Sequence, residues 1–273
     1  MKTCISVIVN DIYQKYIPIF SYFISKSYPD YGIKIFLTNR LNKDYKGIIN
    51  KIQSNSNLLI NENVFNGKYN NTGQCLKSLR WFLTDGCFDG FDNIYIGDVD
   101  LLICREQFSL ESQHLKHCID NNLPYSNCLR PGQKRFSGLH FIKKKEYFNI
   151  MNSIILKYAK SLKLGKIKFS KDFRNEHLLY NMIYESGFGL PEEKNRIDPD
   201  GSGPHHGLHI GIWRAGNNLS KGVVNHLRID NYLNHYIFFK KEEFDPLFKE
   251  IMDLIPIKEI IVMKKYLENI FGE

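Results

Sequence analysis

Two carboxylates separated by one residue, Asp98 and Asp100, interrupt an apolar run, Asn93-Ile-Tyr-Ile-Gly-Asp98-Val-Asp100-Leu-Leu-Ile. Side chains two positions apart in an extended chain point the same way, so this pair faces one ligand while Val99 turns to the core. Left alone, the two charges repel by roughly 3 kcal/mol at about 5 Å and an effective dielectric of about 20. A divalent cation relieves that repulsion. Hard oxygen donors suit Mn²⁺ or Mg²⁺, which complete their shells with substrate phosphates and water. D-x-D tripeptides are common in solvated turns, but apolar neighbours on both sides set this one at the end of a buried strand, where charge needs a partner. A second candidate cluster lies downstream, in Pro204-His205-His206-Gly-Leu-His209-Ile-Gly211-Ile-Trp213-Arg214. Three histidines within five residues can supply a neutral imidazole to a metal.

The elements that must position these residues alternate. Cys4 to Asn10 reads as a strand, Gln14 to Lys26 as a helix and Ile33 to Thr38 as a strand, which together make a βαβ unit. A helix near Asp44 to Gln53, a strand at Leu58 to Ile60, a helix over Gln74 to Leu83 and a strand at Asn93 to Gly97 follow. This order predicts an α/β fold, a Rossmann-like, mostly parallel sheet flanked by helices. Such sheets receive ligands beyond the carboxyl ends of their strands. Asn10, Asp11 and Tyr13 stand there, directly after the first strand, although Asp11 also suits the start of the next helix. The second half is less regular, with a strand at Gly138 to Ile142 and helices near Glu146 to Leu162 and Asn175 to Ser186. Two amphipathic helices, Lys241 to Leu254 and Ile257 to Ile270, close it. The simplest division is one catalytic domain over 1–236 and a helical C-terminal appendage over 237–273.

The bulk numbers narrow the class. The chain has 273 residues, 43% of them hydrophobic, enough for a large core. A formal net charge of +8 suits an anionic partner. Neither G-x-G-x-x-G nor G-x-x-x-x-G-K-[ST] occurs, so phosphate must be held by a cation and scattered Lys and Arg. No signal-peptide core and no membrane-spanning run is readable, which predicts a cytoplasmic protein. The six cysteines lack a C-x-x-C pair and read as reduced, packed thiols.

The stretch from Lys77 through Trp81-Phe-Leu-Thr to Tyr95-Ile-Gly-Asp98-Val-Asp100 resembles the nucleotide-sugar region of glycosyltransferase family 8. The resemblance implies a GT-A fold and a hexosyl transfer, retaining in outcome, from a UDP-sugar to a glycan or lipid-linked acceptor, as in surface-polysaccharide synthesis. It implies Mn²⁺ or Mg²⁺ on Asp98 and Asp100, and donor contacts from Lys77, Asp98 and Val99. It places uracil and ribose at Asn10, Asp11 and Tyr13. Arg135-Phe-Ser137-Gly138 is similar to the F-N-[AS]-G strand that approaches the donor sugar, with Phe-Ser where the family often has Phe-Asn. Asn175-Glu176-His177 is similar to the Asp-Gln segment beside the sugar ring, which makes Glu176 and Lys77 the candidates closest to the reacting centre. The family's H-x-x-G-x-x-K-P-W motif is matched in shortened form, without its Pro-Trp. His209 becomes the third metal ligand, with His206 the alternative, Gly211 the glycine, and Arg214 the phosphate partner in place of lysine.

Three other readings compete, one of them a non-catalytic relative that binds a sugar nucleotide. A zinc hydrolase would use His205, His206 and His209, but it lacks the glutamate of H-E-x-x-H. A nucleic-acid-binding protein would use the basic excess, but no recognition module is visible and no nucleic acid is expected as partner. The closing helices, with Tyr236-Ile-Phe-Phe-Lys-Lys, suit either a cap on the core or peripheral contact with the inner face of a membrane.

Overall fold

The structure is a computed structural model that describes residues 1–65, 69, 73–130, 132–192, 206–215 and 230–271. Eight strands lie among the described residues: β1 (Thr3–Val9), β2 (Gly32–Leu37), β3 (Asn57–Asn61), β4 (Asn93–Ile96), β5 (Leu101–Ile103), β6 (Tyr125–Ser126), β7 (His140–Lys143) and β8 (Gly207–His209). Six form one sheet in the order β3-β2-β1-β4-β7-β6, and β5 pairs with β8 in a second. The first four strands of the main sheet run parallel, while β7 is antiparallel to both β4 and β6.

Both faces of this sheet are buried, as a parallel sheet requires. Alternation along β1 divides its side chains: Ile5, Val7 and Val9 enter one core cluster and Cys4 enters another. The first cluster receives α1 (Ile17–Ser27) and α2 (Lys46–Gln53); the second receives α5 (Lys144–Lys163) and α6 (Asn175–Ser186). Helix α3 (Gly73–Ser78) packs against α6, and α4 (Leu110–Asn121) is N-capped by Ser109, whose hydroxyl accepts the Ser112 N–H at 3.1 Å.

The expected helix over Gln14 to Lys26 is in fact a 3₁₀ segment, Asp11–Tyr16, running into α1, and the helix over Gln74 to Leu83 likewise tightens to 3₁₀ at Leu79–Phe82. The sequence pattern predicts two closing helices, and the described residues form three: α7 (Asp230–Glu242), α8 (Pro246–Leu254) and α9 (Lys258–Phe271). The carboxylate of Asp245 accepts the Leu247 N–H at 2.8 Å, and Pro246 occupies the first helical turn, so the chain restarts a helix there. Position 236 falls inside α7, and Tyr236, Phe239 and Phe248 belong to the same core cluster as β1 and α1. Helix α1 is buried almost throughout because these helices cover its outer side. Phe23 stacks on Phe239 with ring centroids 6.0 Å apart, and the Tyr22 hydroxyl donates to Glu242 at 2.6 Å. No helix among the described residues is long and apolar enough to cross a membrane. No disulfide joins the six cysteines, five of which are buried.

Candidate active site

The Asp98-Val99-Asp100 segment is a turn between β4 and β5, not an extension of the strand. Val99 is buried in the core as expected, but the turn sends the two carboxylates to different neighbours. Asp98 is half-exposed and accepts a hydrogen bond from Arg80 Nη1 at 2.8 Å. The same nitrogen donates to the carbonyls of Gly97 and Gly138, both at 3.1 Å, and Nε donates to the carbonyl of Lys77 at 3.1 Å. Arg80 therefore rivets the 3₁₀ turn, the end of β4 and the approach to β7 around one buried charge.

Asp100 is buried and paired twice. Its Oδ2 accepts from Arg214 Nη2, and its Oδ1 lies 3.4 Å from His209 Nε2. The antiparallel ladder sets this contact, since Leu101 is registered on His209 and the Ile210 N–H donates to the Asp100 carbonyl at 2.9 Å. Burial disfavours charge on Asp100, but His209 and Arg214 outweigh it and hold its carboxyl well below the usual carboxylate range. Burial also opposes the charged form of His209, yet contact with Asp100, reinforced by Asp98, raises its pKa above the ordinary histidine value. Gly211 completes the packing. A Cβ there would sit 2.2 Å from Asp100 Oδ2 and 3.1 Å from His209 Nε2, so only a bare backbone lets the carboxylate lie this close.

Arg214 reaches back to the first strand's loop. Its guanidinium lies 4.9 Å over the Tyr13 ring and 5.6 Å over Tyr16, and Nη1 donates to the Tyr13 hydroxyl at 3.3 Å. Helix α9 closes this side: Glu259 accepts the Tyr16 hydroxyl at 2.6 Å and Lys15 Nζ at 3.3 Å. Asp11 is engaged locally, accepting from Asn39 at 2.5 Å and Gln14 at 3.2 Å. Asn10 is the N-cap of the 3₁₀ segment without a side-chain capping bond, and its Oδ1 is buried with no hydrogen-bond partner among the described residues. An orphaned acceptor at the carboxyl end of β1 is where such a sheet receives a ligand.

Tyr13, Asp100, His209, Gly211 and Arg214, scattered in sequence, thus meet in one cluster. Asp98 and Gly138 are joined by Arg80 next to it. Ser137 is buried and committed to its own turn, its hydroxyl accepting the Leu139 N–H at 3.1 Å. Glu176 sits in the first turn of α6 and accepts from Asn175 Nδ2 at 3.1 Å. Asn175 in turn donates to Gln74 on α3, and its carbonyl accepts from Trp81 Nε1 at 3.1 Å. Lys77 is exposed on α3, at the wall of a cavity of about 730 Å³.

His206 and His209 go to opposite sides of β8, as side chains three positions apart in an extended segment must. His206 is buried away from Asp100. Its Nδ1 lies 2.8 Å from Glu106 and its Nε2 lies 2.9 Å from His114, whose Nδ1 is 2.7 Å from the Ser126 hydroxyl. His235 Nε2 lies 3.0 Å from the other oxygen of Glu106. Burial opposes ionisation of Glu106, but the two histidines prevail and lower its pKa to about 2. His205 lies outside the described residues. The sequence pattern did not point to this buried histidine chain, nor to Arg80 or Glu259. Arg80 carried a signal, a guanidinium inside the apolar run Leu79-Arg80-Trp81-Phe82 that needs a buried partner.

The donor set for a divalent cation is chemically apt: two carboxylates and an imidazole that ligates when neutral. Asp100 and His209 are already juxtaposed, and the Gly211 backbone leaves room that a side chain would fill. Asp98 is turned to Arg80, so among the described residues no three potential ligands converge as they stand.

No protein-family model matches the chain, and no curated protein matches it in sequence. Solved structures do match in shape. The glycosyltransferase GlyE of Streptococcus pneumoniae superposes with a TM-score of 0.52 at 13% identity, over 89% of this chain and 64% of GlyE. The chain shares the GT-A-like fold of that glycosyltransferase. It therefore spans less than two thirds of GlyE's own length. The apo form of GlyE gives a TM-score of 0.51 at 12% identity, over 89% and 64% of the two chains. The galactosyltransferase LgtC, solved with donor and acceptor sugar analogues, gives 0.41 at 12% identity over 66% of this chain and 70% of LgtC.

Proposed function

We propose that this protein is a metal-dependent glycosyltransferase that moves a sugar from a nucleoside-diphosphate donor to a glycan or lipid-linked acceptor. The carrying observation is the convergence of Asp100, His209 and Arg214 on Tyr13, beside the carboxyl ends of β1 and β4 in a GT-A-like fold. The donor is UDP-linked and the outcome retaining, on the family-8 resemblance of the residues from Lys77 to Asp100. Asp98, Asp100 and His209 would hold Mn²⁺ or Mg²⁺, which when bound neutralises the charge that grows on a departing diphosphate.

The chain's own groups have distinct tasks in this reading. Arg214, a permanent cation already stacked on Tyr13, leaves Asp100 to bind diphosphate oxygens with its fork. Asp98, half-exposed beside Arg80, would help hold the ion by rotating its side chain. Asn10, with its unsatisfied amide oxygen, accepts a hydrogen bond from the base or ribose of the donor, flanked by Asp11 and Tyr13. The backbone at Val99 and Gly138, with Ser137 behind it, lies along the sugar, and Lys77 and Glu176 approach it from α3 and α6. The work is done in the cytoplasm or at the inner face of its membrane, toward a surface polysaccharide. A zinc hydrolase is disfavoured because His206 and His209 face opposite ways.

The test is Mn²⁺-dependent release of UDP across a panel of UDP-sugars, compared with Asp100→Ala. The variant is expected to keep its circular dichroism and lose at least about a hundredfold in turnover. Near-normal release by the variant with Mn²⁺ would sink the assignment.

A further inference from the structure

The cavity of about 730 Å³ beside Lys77 is not lined by Asp98 or Asp100. It opens between α3 and the connection that follows α5, and its walls include Gln74, Lys77, Lys168, Phe169 and Ser170. That volume lies in the range of small-molecule sites. The connection is unusual in charge. Residues 160–171 read Lys-Ser-Leu-Lys-Leu-Gly-Lys-Ile-Lys-Phe-Ser-Lys, five lysines and no acid, in a chain whose entire formal excess is +8. All five lysines are exposed, whereas Lys157, just before them, is paired with Glu185 at 2.6 Å. Among the described residues none of the five forms an ion pair, and Lys77 adds a sixth cation from the facing helix.

Lys77 and Lys168 line the cavity itself, and the other lysines of the connection add to the positive potential around it, a mutual repulsion that an anion removes. The cavity is also wired to the candidate active site. The Lys77 carbonyl accepts from Arg80 Nε, and the same guanidinium binds Asp98, so one side chain separates the cavity wall from the carboxylate turn. On the same α3 wall Gln74 binds Asn175, the neighbour of Glu176. We infer that this cavity is the acceptor site and that it takes an anionic saccharide, one carrying carboxylate or phosphate groups. The lysines read the charge, Gln74 and Ser170 offer hydrogen bonds to hydroxyls, and the Phe169 ring gives the apolar face of a sugar a surface to rest on. A flat lipid surface has no use for the concavity, and single-stranded nucleic acid calls for several stacking rings where this cavity has one aromatic side chain among the described residues. The inference rests on the transferase reading, since an acceptor has meaning only beside a donor.

The experiment measures binding of the full chain to fluorescent oligogalacturonate and to its fully methyl-esterified, uncharged counterpart, with phosphorylated maltotriose against maltotriose as a second pair. Lys168→Glu reverses a charge on the cavity wall. Lys145→Glu makes the same change in the first turn of α5, about 27 Å by helix rise from Lys163, where the connection begins. Each anionic probe is expected to bind more tightly than its neutral partner, Lys168→Glu to weaken it about tenfold or more, and Lys145→Glu to change it less than twofold. Equal binding of charged and neutral probes overturns the inference, as does equal weakening by the two variants. Loss of binding to phosphatidylglycerol vesicles in Lys168→Glu with oligosaccharide binding unchanged also overturns it. Donor turnover without acceptor separates this from the parent reading. A wild type that releases UDP with Mn²⁺ but ignores probe charge refutes the anionic acceptor alone. One that binds anionic probes without releasing UDP refutes the transferase reading and the acceptor assignment with it.

Discussion

Gly211→Ala is the substitution that most directly interrogates the packing around Asp100. A Cβ at this position would meet Asp100 Oδ2 at 2.2 Å and Cγ at 3.0 Å, while an ordinary contact begins at 3.4 Å. The carboxylate must therefore retreat by about 1.2 Å or the backbone must give way. The carboxylate cannot retreat freely, since Arg214 holds one oxygen and His209 lies 3.4 Å from the other. Losing a charge-assisted hydrogen bond costs roughly 1.5–3 kcal/mol, so urea unfolding of the variant is expected to show about 2 kcal/mol less stability. A displacement near 1 Å in a positioned group costs about a hundredfold in rate, and UDP release should fall by at least that factor, with weaker Mn²⁺ binding by calorimetry. Gly138→Ala is the matched control. Its Cβ would meet Asp98 Oδ2 at 3.5 Å and Arg80 at 3.7 Å, ordinary contacts, so its stability should stay within about 0.5 kcal/mol of the parent. If Gly211→Ala unfolds and turns over like the parent, Gly211 does not pack on Asp100 and the carboxylate is not clamped between Arg214 and His209.

Two further outcomes are expected. Arg80→Met removes the counter-charge of Asp98 and the donor to the Gly97 and Gly138 carbonyls; it should cost about 2–3 kcal/mol in chemical denaturation, and a neutral result would mean the guanidinium is not the rivet. Glu106 has a pKa lowered from 4.5 to about 2, so its stabilising contribution is complete above pH 4.5 and is lost as pH falls from there toward 2. Glu106→Gln should thus flatten the stability profile in that window, by an amount on the order of 3 kcal/mol, and an unchanged acid limb would contradict the Glu106–His206–His235 pairing.

What the sequence disclosed is what local patterns can carry. The β-α-β opening and the helix Asn175–Ser186 follow from periodicity, and the alternation of Ile5, Val7 and Val9 with Cys4 marks a strand buried on two faces. The carboxylate pair is visible in the sequence but its turn is not, because two residues cannot show whether a strand stops at Ile96 or runs on. In place of two aspartates pointing the same way from one strand, the turn sends Asp98 to Arg80 and Asp100 to Arg214 and His209. Arg80 is overshadowed by its neighbours Lys77 and Trp81, since the tightening to 3₁₀ after Ser78 rotates it inward, which a regular helical count does not anticipate. Glu106 gives no local sign at all. Its partners stand at 206 and 235, distances along the chain that only folding closes.

The brace around Tyr16 carries a consequence for how the molecule is made. Glu259 is synthesised long after the loop it steadies, and a chain interrupted anywhere between 215 and 258 would contain every residue a motif search could flag: the aspartates, His209, Gly211, Arg214 and Tyr13. Such a chain would lack the acid that fixes the Tyr16 hydroxyl and Lys15 beneath Arg214. During translation the loop carrying Tyr13 and Tyr16 emerges first and waits for a helix still to be built, so possession of the motif and possession of a braced loop are reached at different moments.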